Sequence, residues 1–149
     1  MSGLTPALLF RRVAIAEAIT WALLLIGMAL KYVSDTTELG VQVAGPIHGV
    51  VFVAYCVTAV VVAVDQRWTT GRTLLGLASA VPPFVTVVFD VVVDRRGGFG
   101  PWRLRDGEPG RGVDRPVAWL LRRPVRGLLA GLAAVAVLTG LALLVGPPV

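Results

Sequence analysis

Polar and small residues recur along narrow stripes inside long apolar runs. Four windows, residues 13–33, 43–64, 73–93 and 127–145, stay apolar over roughly the 20 residues that a helix needs to cross the hydrocarbon layer. In the first three, the stripe positions step by three and four. They are Glu17, Thr20, Leu24, Gly27 and Lys31; Gly45, His48, Phe52, Tyr55 and Ala59; and Gly76, Ser79, Pro83, Thr86 and Asp90. Such steps stay on one face of a helix. Each stripe is therefore expected to face a neighbouring helix, while leucine, valine, isoleucine and alanine meet lipid. The pattern predicts an all-α, polytopic transmembrane bundle of four spans.

Composition agrees: of 149 residues, 56% are hydrophobic and only 15% charged, a balance that suits lipid better than water. Two short connections, 34–42 and 65–72, make the first three spans antiparallel neighbours. The third connection, 94–126, holds nine arginines, six glycines and four prolines against four acidic residues. Three units are thus expected: a three-span domain at 1–93, a basic linker at 94–126 whose first half is flexible, and a fourth helix at 127–149. Within the linker, PVAWLLRRPVRG reads as an interfacial segment, with Trp119 at headgroup depth and Arg122, Arg123 and Arg126 facing anionic lipid. A solvated charge run that only fixes orientation is the alternative. With four spans, ten basic residues fall on the side of the first and third loops and four on the other. The excess of positive charge inside then puts both termini outside.

The first apolar run follows Arg11 and Arg12 but is long for a secretory signal core and carries Glu17, so it is expected to be retained as a span. Gly45-x-x-x-Gly49 and Gly127-x-x-x-Gly131 offer flat patches for helix packing, within the bundle or in a homo-oligomer or with another membrane protein.

Antiparallel spans sort the ionisable groups by depth. Lys31, His48 and Asp90 are expected at the first-loop side as one buried polar cluster, and Glu17, a second intramembrane acid, near the opposite face. Lys31 and Asp90 read as an ion pair between helix ends; His48 reads either as a neutral, hydrogen-bonded imidazole or as a proton-accepting switch. Pro46 is expected in the first turn of its helix. The Pro82 and Pro83 pair breaks the third helix internally, and Pro83 should kink it.

The chain has one cysteine, Cys56, and one histidine. An internal disulfide, a cysteine-based metal cluster and a bis-histidine haem site in one subunit are excluded, and neither metal nor cofactor is expected. Ser79 and His48 are placed toward different leaflets and no G-x-S-x-G elbow occurs, so enzymatic activity is not expected. The linker arginines lack interleaved stacking aromatics, which argues against nucleic acid.

The segments FRRVAIAEAITWALLLIGMALKYV, GPIHGVVFVAY and SAVPPFVTVVFD, in that order, resemble the small actinobacterial integral membrane proteins that share a histidine-glycine motif, a group labelled a domain of unknown function. The resemblance places Glu17, Lys31, Tyr32, His48, Gly49, Pro83, Phe84 and Asp90 on motif positions. Relatives of this kind carry three spans, so the arginine-rich stretch and last helix are an extension, and Val85 stands where a glycine is usual. The resemblance implies fold and location, not an activity. The expected function is that of a multi-pass protein of the bacterial cytoplasmic membrane, a non-enzymatic accessory or assembly component. The alternative is a small proton-linked transporter or channel component using His48, Asp90 and Glu17.

Overall fold

A computed structural model describes residues 3–146; the outermost residues of the first and last expected units, 1–2 and 147–149, lie outside it. Among the described residues the chain forms seven helices and no strand.

α1 (Pro6–Tyr32) begins at a defined stop: Thr5 accepts a hydrogen bond from the Leu8 amide at 3.2 Å, and Pro6 takes the first helical position. α2 (Leu39–Asp65) returns antiparallel beside it. Each has 27 residues, about 40 Å at 1.5 Å per residue, enough to cross a layer of about 30 Å. Both start earlier than the apolar windows do. Pro46 consequently lies inside α2 rather than in its first turn. The two helices meet most closely at Gly27 and Gly40, where a Cβ on Gly27 would stand 2.7 Å from the Gly40 carbonyl carbon. Backbone meets backbone there, so only glycine fits. On the far face of α1, Ile15, Ile19, Leu23 and Ile26 are exposed to the surroundings.

The third window departs from a simple span. It forms two short helices, α3 (Thr70–Ala78) and α4 (Val85–Arg95), joined by a turn. Pro83 disfavours helical backbone at Pro82 and supplies no amide hydrogen, and Phe84 adopts a left-handed conformation with φ 68°. The proline pair therefore reverses the chain instead of kinking a continuous helix. Both arms return to one end of the bundle: the Trp68 indole, before α3, donates to the Gly98 carbonyl, after α4, at 2.9 Å. The turn reaches the level of Trp21, whose indole donates to the Ala80 carbonyl at 3.3 Å. Arms of 9 and 11 residues measure about 14–17 Å, roughly half the hydrocarbon thickness. The element is a re-entrant helical hairpin.

Residues 96–123, most of a stretch expected as a linker with a flexible first half, are folded as a cap on the end of α2. α5 (Arg103–Asp106) and α6 (Asp114–Arg122) are short, and Asp65 holds the first of them. The Asp65 carboxylate accepts from the Leu104 amide at 2.8 Å and the Arg103 amide at 3.2 Å; the Arg103 guanidinium donates back to the carbonyls of Asp65 at 2.7 Å and Val64 at 3.0 Å. The last carbonyls of α2 lack intrahelical partners, which makes them a natural cation site. Arg103 also pairs with Asp114 at 3.3 Å, which holds the Asp114 carboxyl below the usual carboxylate range. Arg122 donates to the carbonyls of Leu104 and Gly107, so it serves the cap, while Arg123 and Arg126 remain exposed. The Trp102 indole donates to the Leu4 carbonyl at 2.7 Å and ties the cap to the chain's beginning.

α7 (Pro124–Val145) leaves the cap and packs against α2 and α6, with no buried residue of its own. Gly127 lies against the Leu120 backbone, whereas Gly131, Gly45 and Gly49 have nothing within 4 Å of a Cβ position. Of the glycines expected to pack helices, Gly127 alone has a close neighbour at that position.

α1, α2 and α7 are the helices long and apolar enough to cross a membrane. One end of the bundle gathers the start of α1, the end of α2, both ends of the hairpin, the cap and the start of α7. All thirteen arginines sit in these segments, while the opposite end carries Lys31.

Candidate functional site

The buried polar residues form a ladder along one face of α1, facing α2 and the hairpin. Phe10, Ala14, Glu17, Thr20 and Gly27 are buried on that face, in steps of four and three apart from the longer last interval. His48, Tyr55 and Ala59 of α2 and Gly76, Ser79, Thr86 and Asp90 of the hairpin are buried toward it. The striping thus turns the imidazole and both intramembrane acids inward.

At the arginine-rich end, Phe10 anchors an aromatic cluster with Tyr55, Trp68, Phe89 and Phe99, its ring centroid 5.4 to 6.0 Å from theirs. Beside it Arg11 clamps α4: Nε contacts Asp90 Oδ2 at 2.8 Å and a terminal nitrogen contacts Asp94 Oδ2 at 2.6 Å. One turn deeper, Thr86 donates to Glu17 Oε2 at 2.7 Å and lies 3.3 Å from the Ala14 carbonyl. Among the described residues, Glu17 Oε1 and Asp90 Oδ1 are buried without a hydrogen-bond partner.

Deeper still, Thr20 Oγ1 donates to the Glu17 carbonyl and lies 2.9 Å from His48 Nδ1. A hydroxyl has one proton; with that proton on the Glu17 carbonyl, Nδ1 must carry its own and donate to Thr20. Nε2 is then left as an acceptor. Trp21 packs on the imidazole with centroids 4.6 Å apart. Across the hairpin, Tyr55 donates to the Gly76 carbonyl at 2.9 Å and its oxygen lies 3.0 Å from Ser79 Oγ, which itself contacts the Gly76 carbonyl at 2.6 Å.

The expected grouping of Lys31, His48 and Asp90 does not form. Lys31 pairs with Glu38 at 3.5 Å and lies over the Tyr32 ring. Asp90 sits at the other end of the bundle, because the hairpin turns back where a full span would have carried it across. Glu17 moves in the opposite sense. Counted from the Gly27 and Gly40 contact, Glu17 lies ten residues along α1, about 15 Å, and His48 eight residues along α2, about 12 Å. The two come to similar depth, linked through Thr20.

Sequence reasoning missed Arg11, Asp65 and Arg103. Extending the first stripe back by two turns, through Ala14, would have reached Phe10 and its neighbour Arg11. Asp65 and Arg103 left no periodic signal, since their partners are main-chain groups.

The comparisons agree with this membrane-embedded unit. Residues 7–95 match a family model described as a domain of unknown function, DUF3817. A Streptomyces coelicolor chain named "Putative membrane protein SCO5905" is 48% identical over 89 residues, which are 59% of the present chain and 10% of that relative. The match therefore spans about a tenth of the relative's length. No solved structure matches.

Proposed function

Because the chain belongs to the DUF3817 family, whose matched segment ends with α4 and includes the whole polar ladder, we propose that it is a non-enzymatic accessory module of the bacterial cytoplasmic membrane that assembles with a larger integral membrane protein. The observation that carries this reading is the mutual engagement of the ladder's polar groups. Arg11 with Asp90 and Asp94, Thr20 with His48, and Tyr55 with Ser79 join three elements through side chains. Interlocking of this kind specifies one packing and builds a rigid unit. Ser79 and His48 take separate partners, which gives no support to a nucleophile and base pair. That this unit resembles 89 residues of a roughly tenfold longer chain, named a putative membrane protein, supports the accessory role, since there the segment is a small part of a longer polypeptide.

The charge distribution supports an orientation. Thirteen arginines at one end against Lys31 at the other favour the arginine-rich end in the cytoplasm, with the N-terminus inside and α7 ending outside. This revises the count made for four full spans. Arg123 and Arg126 then face the anionic cytoplasmic leaflet.

The test is native mass spectrometry of the chain released from its own membranes in lipid-preserving particles. A defined complex with a second integral membrane protein is expected. A lone monomer or homo-oligomer as the sole species contradicts the reading.

A second reading rests on two buried carboxylate oxygens, Glu17 Oε1 and Asp90 Oδ1, that have no hydrogen-bond partner among the described residues and lie beside a helix break. Intramembrane carboxylates of this kind serve proton pathways. Proteoliposome flux decides it: proton leak that is equal for the parent chain, Glu17→Gln, His48→Ala and Asp90→Asn removes the reading.

A further inference from the structure

An apolar groove lies between α2, α6 and α7, with a volume of about 330 Å³. Ala54, Val57 and Val61 form one wall, and Leu128, Leu132 and Val135 the other. Its size falls at the small end of ligand pockets. Along α7 its lining runs from Pro124 to Val135, eleven residue steps or about 16 Å, close to half of a hydrocarbon layer of about 30 Å. The groove is therefore one leaflet deep. It opens beside the cap, where Trp102 and Arg105 line its mouth. Among the described residues Arg105 has no carboxylate within ion-pair distance, unlike Arg11 and Arg103. Gly131 faces the groove with nothing within 4 Å of its Cβ position, which leaves the space open.

We infer that this groove binds an anionic phospholipid of the leaflet at the arginine-rich end, one acyl chain lying between α2 and α7 and the phosphate meeting Arg105. The walls match a hydrocarbon chain in polarity and length, and the mouth matches a phosphate in charge. Net charge, rather than the phosphate that all phospholipids share, selects the anionic class: no carboxylate among the described residues offsets the Arg105 guanidinium, and the arginine excess of the surrounding surface adds to its field, so a headgroup without a compensating cation is favoured. The inference needs the membrane setting of α2 and α7 but not the accessory role, so the two fail separately.

The experiment uses the full chain in phosphatidylcholine vesicles doped with phosphatidylglycerol bearing a photoactivatable diazirine on its acyl chain, and in parallel with the phosphatidylcholine analogue. Adducts are mapped by mass spectrometry. Phosphatidylglycerol adducts should concentrate on residues 54–61 and 128–135 rather than on the exposed face at 15–26. Gly131→Leu, whose side chain enters open space, should abolish that concentration, and Arg105→Gln should lower it by about tenfold, the loss of one charge-assisted contact, while leaving the phosphatidylcholine signal unchanged. Circular dichroism checks that both variants remain helical; Arg105→Gln alone suffices if Gly131→Leu misfolds. Even labelling of all lipid-facing positions, equal labelling by the two headgroups, or adducts blocked by a second copy cross-linked across the groove would each overturn the assignment.

Discussion

At the residue scale, two kinds of position hold the bundle together: small residues where backbones touch, and hydroxyls that occupy an otherwise unpaired polar atom. Gly27 is of the first kind. Alanine there places a methyl 2.7 Å from the Gly40 carbonyl carbon, a clash that helix backbones relieve only by separating. Gly27→Ala should cost about 1–3 kcal/mol, the range of overpacking. Gly45→Ala meets open space and should leave stability unchanged or slightly raised. Unfolding in mixed detergent and sodium dodecyl sulfate micelles measures both. Equal effects would refute the close approach. Thr20 is of the second kind. Thr20→Val keeps the shape but strands the His48 Nδ1 proton, so a loss of about 1–3 kcal/mol is expected, with Thr20→Ser restoring most of it. A valine variant as stable as the parent would show that the imidazole does not rely on this bond. The stripe showed that these positions face inward; it could not show which atoms meet, because that depends on where each helix starts. Setting the first span at residue 13 instead of Pro6 misplaced Glu17 by about 10 Å, seven residues at 1.5 Å each.

At the scale of elements, the cap and the hairpin are the parts that hydropathy read least well. A stretch rich in arginine, glycine and proline has the composition of a linker, yet it folds because α2 ends in carbonyls that Arg103 satisfies and Asp65 accepts two amides in return. Such reciprocal capping depends on main-chain geometry, for which composition carries no signal. The cap also has a pH response. Its folded-state Asp114 carboxyl is held below the ordinary 3.8, chiefly by the Arg103 hydrogen bond. A depressed pKa means that the carboxylate's contribution is fully present above 3.8 and is lost as pH falls through the lower folded value. Hydrogen exchange over residues 103–114, read as the ratio of parent to Asp114→Asn protection, should be constant near neutral pH and fall toward unity in acid. A ratio near unity at all pH values would mean that Asp114 does not brace the cap. The break at Pro82 and Pro83 was legible in the sequence, but its consequence was not: a bend and a reversal share the same prolines, and the left-handed Phe84 decides between them.

At the scale of the whole molecule, the reversal determines everything downstream of α2. A full third span would carry Asp90 to the loop end, beside Lys31 and His48, and would divide the arginines between two faces. With the re-entrant hairpin, Asp90 stays with Arg11, all thirteen arginines share one end, and the cap forms there against α2. The all-helical membrane class and the inward stripes were therefore open to reading, whereas the topology hung on one turn. Impermeant maleimide labelling of single cysteines in a Cys56→Ala background tests that turn most directly. In intact and lysed spheroplasts, Gly71→Cys and Arg96→Cys, one at each end of the hairpin, should both label only after lysis, and Ser34→Cys should label in intact cells. Labelling of positions 71 and 96 from opposite faces would establish a complete third crossing and contradict the account.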